Sequence, residues 1–138
     1  MRAVQKSIRI PEDTLRGIEE LAKESDIDFS AIAKELLEEA LKMRRCPGIV
    51  FAEGANGRRA RVAGTGIEVW EIIASYQSVG GKFERLKKAY HWLSPEQLRA
   101  SLVYYSLYGL EIDKLIDQNK KWTLEKIKTQ HMFMKPQP

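Results

Sequence analysis

The chain has 138 residues, room for one ordinary domain or two small ones, and its 43% hydrophobic and 30% charged residues exclude a disordered polymer. The net charge of +4 is unevenly placed: residues 1–46 carry 9 basic and 10 acidic side chains, 47–113 carry 8 and 7, and 114–138 carry 6 and 2. The last segment alone therefore accounts for a net +4, and any basic surface for nucleic acid elsewhere has to come from local placement.

No apolar run approaches the roughly 18 residues that a membrane span needs, and the N-terminus leads into no apolar signal core, so a cytoplasmic protein without a membrane partner is expected. Cys46 is the only cysteine, and His91 and His131 are the only histidines. That excludes an internal disulfide and leaves no metal-ligand spacing; no cofactor is expected.

The first predicted element is a strand in "VQKSIRIP", Val4 to Pro11, which alternates side chains and stops at proline. Behind Pro11, the residues Leu15, Ile18, Leu21 and Ala22 fall at helical spacing, with Glu12 and Asp13 suited to the first turn. A second stripe follows in Phe29, Ile32, Ala33, Leu36, Ala40 and Leu41, with Asp28 or Ser30 as cap and Lys42, Arg44 and Arg45 at the end. Residues 1–46 thus read as strand, helix, helix.

Such a unit is incomplete alone, because its strand has no hairpin partner and two short amphipathic helices bury too little. A second copy completes it: two strands pair antiparallel across a two-fold axis and four helices enclose one core, giving a homodimer or a higher even oligomer. Ile8 and Ile10 then turn toward the helices, while Gln5, Ser7 and Arg9 face outward together. A two-stranded ribbon enters the major groove of DNA, where these three side-chain types hydrogen-bond base edges. Arg2, Lys6 and Arg9 add three positive charges with no acid among residues 1–9. The plainer alternative is a strand that only dimerises, its outward residues being solvated surface.

The stretch "QKSIRIPEDTLRGIEELA…DFSAIAKELLEEAL" resembles the ribbon-helix-helix family of DNA-binding repressors, the Arc and MetJ type. The resemblance implies that Gln5, Ser7 and Arg9 read operator DNA. It also implies that the backbone N–H groups of Phe29 and Ser30, opening the second helix, clamp a phosphate. Where the inter-helix turn of the family often carries glycine, this chain has Ser25-Asp26-Ile27-Asp28.

Residues 47–118 are predicted to form a second domain. "IVFAE" and "RRARVA" read as a hairpin about Gly54-Ala55-Asn56-Gly57, and Gly64-Thr65-Gly66 re-aims the chain into a helix with Val69, Ile72, Ile73 and Tyr76 on one face. Gly80-Gly81 breaks that helix. A further helix spans 82–91, and the last begins at Ser94-Pro95-Glu96, with Leu98, Leu102, Tyr105 and Ile112 inward and a bend at Gly109. Neither "GANGRR" nor "VGGK" is a phosphate loop, since the required glycine five residues before Gly81 is Tyr76. His91 reads as a packed or capping residue. No carboxylate pair or nucleophile–base pair stands out, so an enzyme is not expected. The pair 82–91 and 94–108 is compatible with a helix-turn-helix read through Gln97 and Arg99, but the apolar second helix with its acidic start favours a simple helical core.

"PGIVF…GRRARVAGTGIEVWEII…LSPEQLRASLVYYSLYGLEID" resembles a family of short bacterial domains of unknown function, marked by a Gly-Thr-Arg-Ile-x-Val signature and found in VapB-like antitoxins. Here the signature stands as Gly64 to Val69, with Gly66 in place of arginine. The resemblance implies a mainly α fold: a ribbon-helix-helix dimerisation domain, then a short hairpin with a three-helix, homeodomain-like bundle. It further implies an antitoxin whose partner is a PIN-like ribonuclease toxin.

Residues 119–138 form a basic tail with an amphipathic pattern at Trp122, Leu124 and Ile127. Read plainly, it is a frayed terminus. Read functionally, it folds onto an acidic partner, with Lys120, Lys121, Lys126 and Lys128 as charges and Trp122 and Phe133 as anchors. Three functions remain: an antitoxin that represses its own operon, a stand-alone regulator with a ligand- or oligomerisation-sensing second domain, and a module whose ribbon only dimerises it.

Overall fold

The structure is a computed structural model that describes residues 2–133. Residues 2–10 form neither helix nor strand and are all exposed. The expected strand at Val4–Pro11 is therefore not a strand in the single chain. The physical reason is that without a neighbouring backbone there is no ladder for these donors and acceptors to join.

Helix α1 runs Glu12–Ser25 and α2 runs Phe29–Arg45. Pro11 precedes the first turn, where its missing N–H costs nothing, and Glu12 and Asp13 sit where the helix dipole favours acids. The turn between the helices is closed by Asp26 in the left-handed region, φ 52°. Its N–H donates to the Lys23 carbonyl at 3.4 Å, and that of Ile27 donates to the Ala22 carbonyl at 3.0 Å. This is the Schellman arrangement, usually given to glycine because a Cβ crowds that backbone conformation. Asp28 caps α2, its Oδ1 accepting the Ala31 N–H at 2.8 Å.

The chain divides into two compact units between Lys42 and Met43, inside the last turns of α2. Among residues 2–42 only Ala22 and Ile32 are buried. Of the apolar stripe foreseen on α2, Ile32 is buried but Phe29 and Leu41 are 39% and 49% exposed; Leu37, outside that stripe, is 66% exposed and Ile8 68%.

The second unit has a core of its own. Strands β1 (Ile49–Gly54) and β2 (Gly57–Val62) pair antiparallel, with Glu53 opposite Arg58 and a two-residue turn, Ala55-Asn56. Gly57 takes φ 97°, which a side chain would resist. Thr65 then ties the following loop: its Oγ1 donates to the Val62 carbonyl at 2.8 Å and accepts the Ile67 N–H at 3.0 Å. At Gly66 an added Cβ would meet nothing within 4 Å, so the position of the family arginine is open space.

Helix α3 (Val69–Ser78) is the centre of this unit, packed chiefly against α5 (Pro95–Phe133) and also against α4 (Phe83–Ala89). Its apolar residues serve two clusters. Val69 and Ile73 pack with Cys46, Ile49, Tyr104 and Ile112, whereas Ile72 packs with Val62, Leu86 and Leu98. Helix α5 runs Pro95–Phe133 with non-helical backbone at Tyr108, φ −128° and ψ 39°. The bend thus falls one residue before Gly109. Tyr105 is half-buried and packs against the core as expected, but the fully buried tyrosine is its neighbour Tyr104. Tyr104 O–H donates to the Glu111 carboxylate seven residues on, across the bend, which satisfies its polar tip inside the core. Residues 119–133 continue α5 unbroken, and 117–131 are all exposed.

Candidate binding surfaces

The side chains expected to read DNA lie on one short segment. Arg2, Gln5, Lys6, Ser7 and Arg9 are all exposed, with no acidic residue among positions 2–9. Phe29 and Ser30 open α2 as foreseen and are also exposed. The end of the helix where a phosphate would sit is modified by Asp28, whose carboxylate already accepts the Ala31 N–H there. That carboxylate offsets the partial positive charge of the helix end, so a second anion gains less from the dipole than it would at an uncharged cap.

The helix pair considered as a second DNA reader is occupied with local work. Gln97 Oε1 accepts the Ser94 N–H at 2.8 Å while the Gln97 N–H donates to Ser94 Oγ at 3.1 Å, a reciprocal capping box that starts α5. Arg99 lies 3.7 Å from Glu96 and stacks its guanidinium over the Phe83 ring at 5.3 Å. His91 neither packs inside nor caps a helix. It is exposed, its ring edge-on to Trp92 at 5.1 Å.

A cleft of about 610 Å³ opens in the second unit. One wall comes from the hairpin and the start of α3, with Asn56, Arg59, Glu68 and Trp70; the other is a face of α5, with Leu115, Gln118, Asn119 and Trp122. The α5 residues recur at i, i+3, i+4 and i+7, one stripe of a helix. Glu68 organises the first wall: its carboxylate takes Arg59 Nη1 at 3.5 Å and the Trp70 indole N–H at 3.3 Å, both pairs part-buried. The Glu68 N–H in turn donates to Glu71 Oε2 at 2.8 Å, fixing the start of α3. Of the residues given a binding role from sequence, only Trp122 lines this cleft. Asn56, Gln118 and Asn119 were not singled out, although the α5 stripe can be read at helical spacing once that helix is extended past residue 118.

The tail side chains are distributed along the exposed end of α5. Trp122 is 60% exposed, and Lys126 holds its ammonium over the Trp122 ring at 4.9 Å. Lys121 reaches Asp117 at 3.2 Å. Lys120 and Lys128 are exposed with no ion pair among the described residues. The side chain of Phe133 lies outside the described residues.

A family described as a protein of unknown function (DUF433) matches residues 49–105, from β1 into α5 and including Gly64 to Val69. No curated protein and no solved structure matches the chain. Among the described residues no helix is long and apolar enough to cross a membrane.

Proposed function

We propose that the chain is the antitoxin of a toxin–antitoxin pair. It dimerises through residues 4–11, binds operator DNA in the major groove through Gln5, Ser7 and Arg9, and neutralises a PIN-like ribonuclease through its C-terminal half. The observation that carries the dimer is the near absence of a core in the first unit, where two residues are buried while Val4 and Ile8 are 84% and 68% exposed. Two copies of this unit would cover those side chains and give residues 4–10 the ladder partner that one chain cannot supply. The basic, acid-free segment 2–9 supports DNA as the partner of the outer face, since phosphate contacts release counterions. The neutralising half rests on the resemblance of residues 47–118 to antitoxin-associated domains and on the uncovered, lysine-rich end of α5, which suits the carboxylate-lined site of such a nuclease.

The test is growth. Cells expressing the adjacent reading frame alone should arrest, and co-expression of this chain should restore growth. Absence of arrest refutes the antitoxin reading. The cleft favours one second reading, a stand-alone ribbon-helix-helix regulator whose second unit takes a ligand; it is left standing by that same negative result.

A further inference from the structure

We infer that the cleft between the hairpin and α5 receives an extended polypeptide segment of the partner protein, gripped by carboxamides along its backbone and by an apolar side chain seated against Trp122. The inference deepens the proposed neutralising interaction and rests on it, because it names which surface of the C-terminal half makes the contact.

Three features of the cleft select this occupant. The first is hydrogen bonding. Asn56 on one wall and Gln118 and Asn119 on the other make no side-chain hydrogen bond to the protein among the described residues, so each offers a donor and an acceptor toward the cleft. An extended backbone presents that same alternation of N–H and C=O groups. The second is charge. Among the described residues, Arg59 is the only cation lining the cleft, and it is engaged with Glu68 at 3.5 Å. Lys121, beside the cleft, is held by Asp117, and Lys126 lies over the outer indole. A nucleotide would therefore find rings to stack on but no uncommitted cation on these walls for its phosphate, whereas a peptide backbone needs none. The third is continuity. Trp122 is both a wall of the cleft and the first residue of the exposed Trp122, Leu124 and Ile127 pattern on the tail helix, so a protein that covers the tail reaches the cleft without a break.

The lining favours an uncharged, apolar anchor residue in this segment, since Leu115 and Trp122 on one wall and Trp70 on the other are its apolar residues and the nearby ion pair is already satisfied. The measurement is calorimetric titration of the full-length chain with the product of the adjacent reading frame, and with overlapping peptides tiling that product. Two variants are compared: Gln118→Ala with Asn119→Ala, and the near-isosteric Gln118→Glu with Asn119→Asp, which removes the amide donors while keeping shape. Both positions are exposed on a helix, and alanine favours that helix, so folding is retained and is checked by circular dichroism. Loss of two neutral hydrogen bonds should raise the dissociation constant about tenfold in each variant, with one tiling peptide competing for the wild-type site. Unchanged binding of both variants overturns this inference and leaves the antitoxin reading intact. No binding by the wild-type chain overturns both. Saturable quenching of tryptophan fluorescence by AMP or UMP, lost in the variants, assigns the cleft to a nucleotide and overturns the peptide.

Discussion

Ile8→Ala tests the dimer at a position where the single chain gains little from the side chain it has. Ile8 is 68% exposed, so truncating it removes little packing from the chain itself. In a paired ribbon the same side chain turns inward and becomes covered. Ile to Ala removes three carbon groups, each contributing about 0.8 kcal/mol when fully buried. Scaled to the share newly covered on pairing, the loss is about 1.6 kcal/mol per protomer, and about 3 kcal/mol for a dimer carrying two copies. The dimer dissociation constant should therefore rise about a hundredfold, an upper figure because the unpaired segment already hides some apolar area. Sedimentation equilibrium across a dilution series reads this directly. Gln5→Ala, on the outward face, is the control and should leave the constant unchanged. An Ile8→Ala chain that associates as tightly as the wild type refutes the inward placement of Ile8 and, with it, the ribbon.

Arg9→Ala should leave the dimer intact while relaxing sequence preference at one base position, at a cost of about 1–3 kcal/mol for the best site; a competition binding assay with point-substituted operators checks it. Asp26→Gly should stabilise the first unit by about 0.5 kcal/mol in urea unfolding, since relief of the strained left-handed backbone exceeds the added chain entropy of glycine. It should also tighten DNA binding at low salt by removing a carboxylate near the start of α2. Ser101→Ala should stabilise the second unit by about 1 kcal/mol, because the Ser101 hydroxyl is fully buried with no hydrogen-bond partner among the described residues. Burial, reinforced by the hydrogen bond to Glu111, pushes the Tyr104 phenol up from its ordinary value near 10. The unfolded chain then loses this proton from about pH 10 while the native chain keeps it, so stability should fall as pH rises above about 10, by up to about 1.4 kcal/mol per pH unit. Tyr104→Phe should shallow that slope in alkaline urea titrations, and an unaltered slope would refute the assignment.

The parts legible in the sequence were those in which a local period meets a local signal. Val69, Ile72 and Ile73 fall at helical spacing behind a glycine loop, and all three are buried in α3. Ser94-Pro95 starts α5 as a cap and first-turn proline should, with Gln97 completing the box. Two adjacent tyrosines, by contrast, fit a helical stripe equally well. Both pack on the core and both donate to a carboxylate beyond the bend, Tyr104 to Glu111 and Tyr105 to Asp113, but of the two only Tyr104 is fully buried; regular periodicity does not anticipate the bend at Tyr108 that lies between. The cleft escaped for a similar reason. Its walls are brought together from positions 56 and 122, and its most telling residues are carboxamides that a pattern search for charge, metal ligands or nucleophiles passes over.

The two units differ in what they ask of a partner, and that difference decides where function is to be sought. The second encloses fully buried side chains from β1, β2, α3, α4 and α5, with Thr65, Glu71 and Gln97 serving the loop and helix starts locally. Its interactions with other molecules can therefore be lost without loss of the fold, which makes variants at Gln118 and Asn119 clean probes of binding. In the first unit the same side chains that would hold the fold also lie uncovered, from Val4 through Leu41. If a second copy covers them, as proposed, association and folding cannot be separated there: a chain that fails to pair leaves α1 and α2 with two buried residues between them. The stability of the first unit should consequently depend on protein concentration while that of the second does not. Two unfolding transitions, only one of which moves on dilution, are the expected signature of a second copy completing the N-terminal fold.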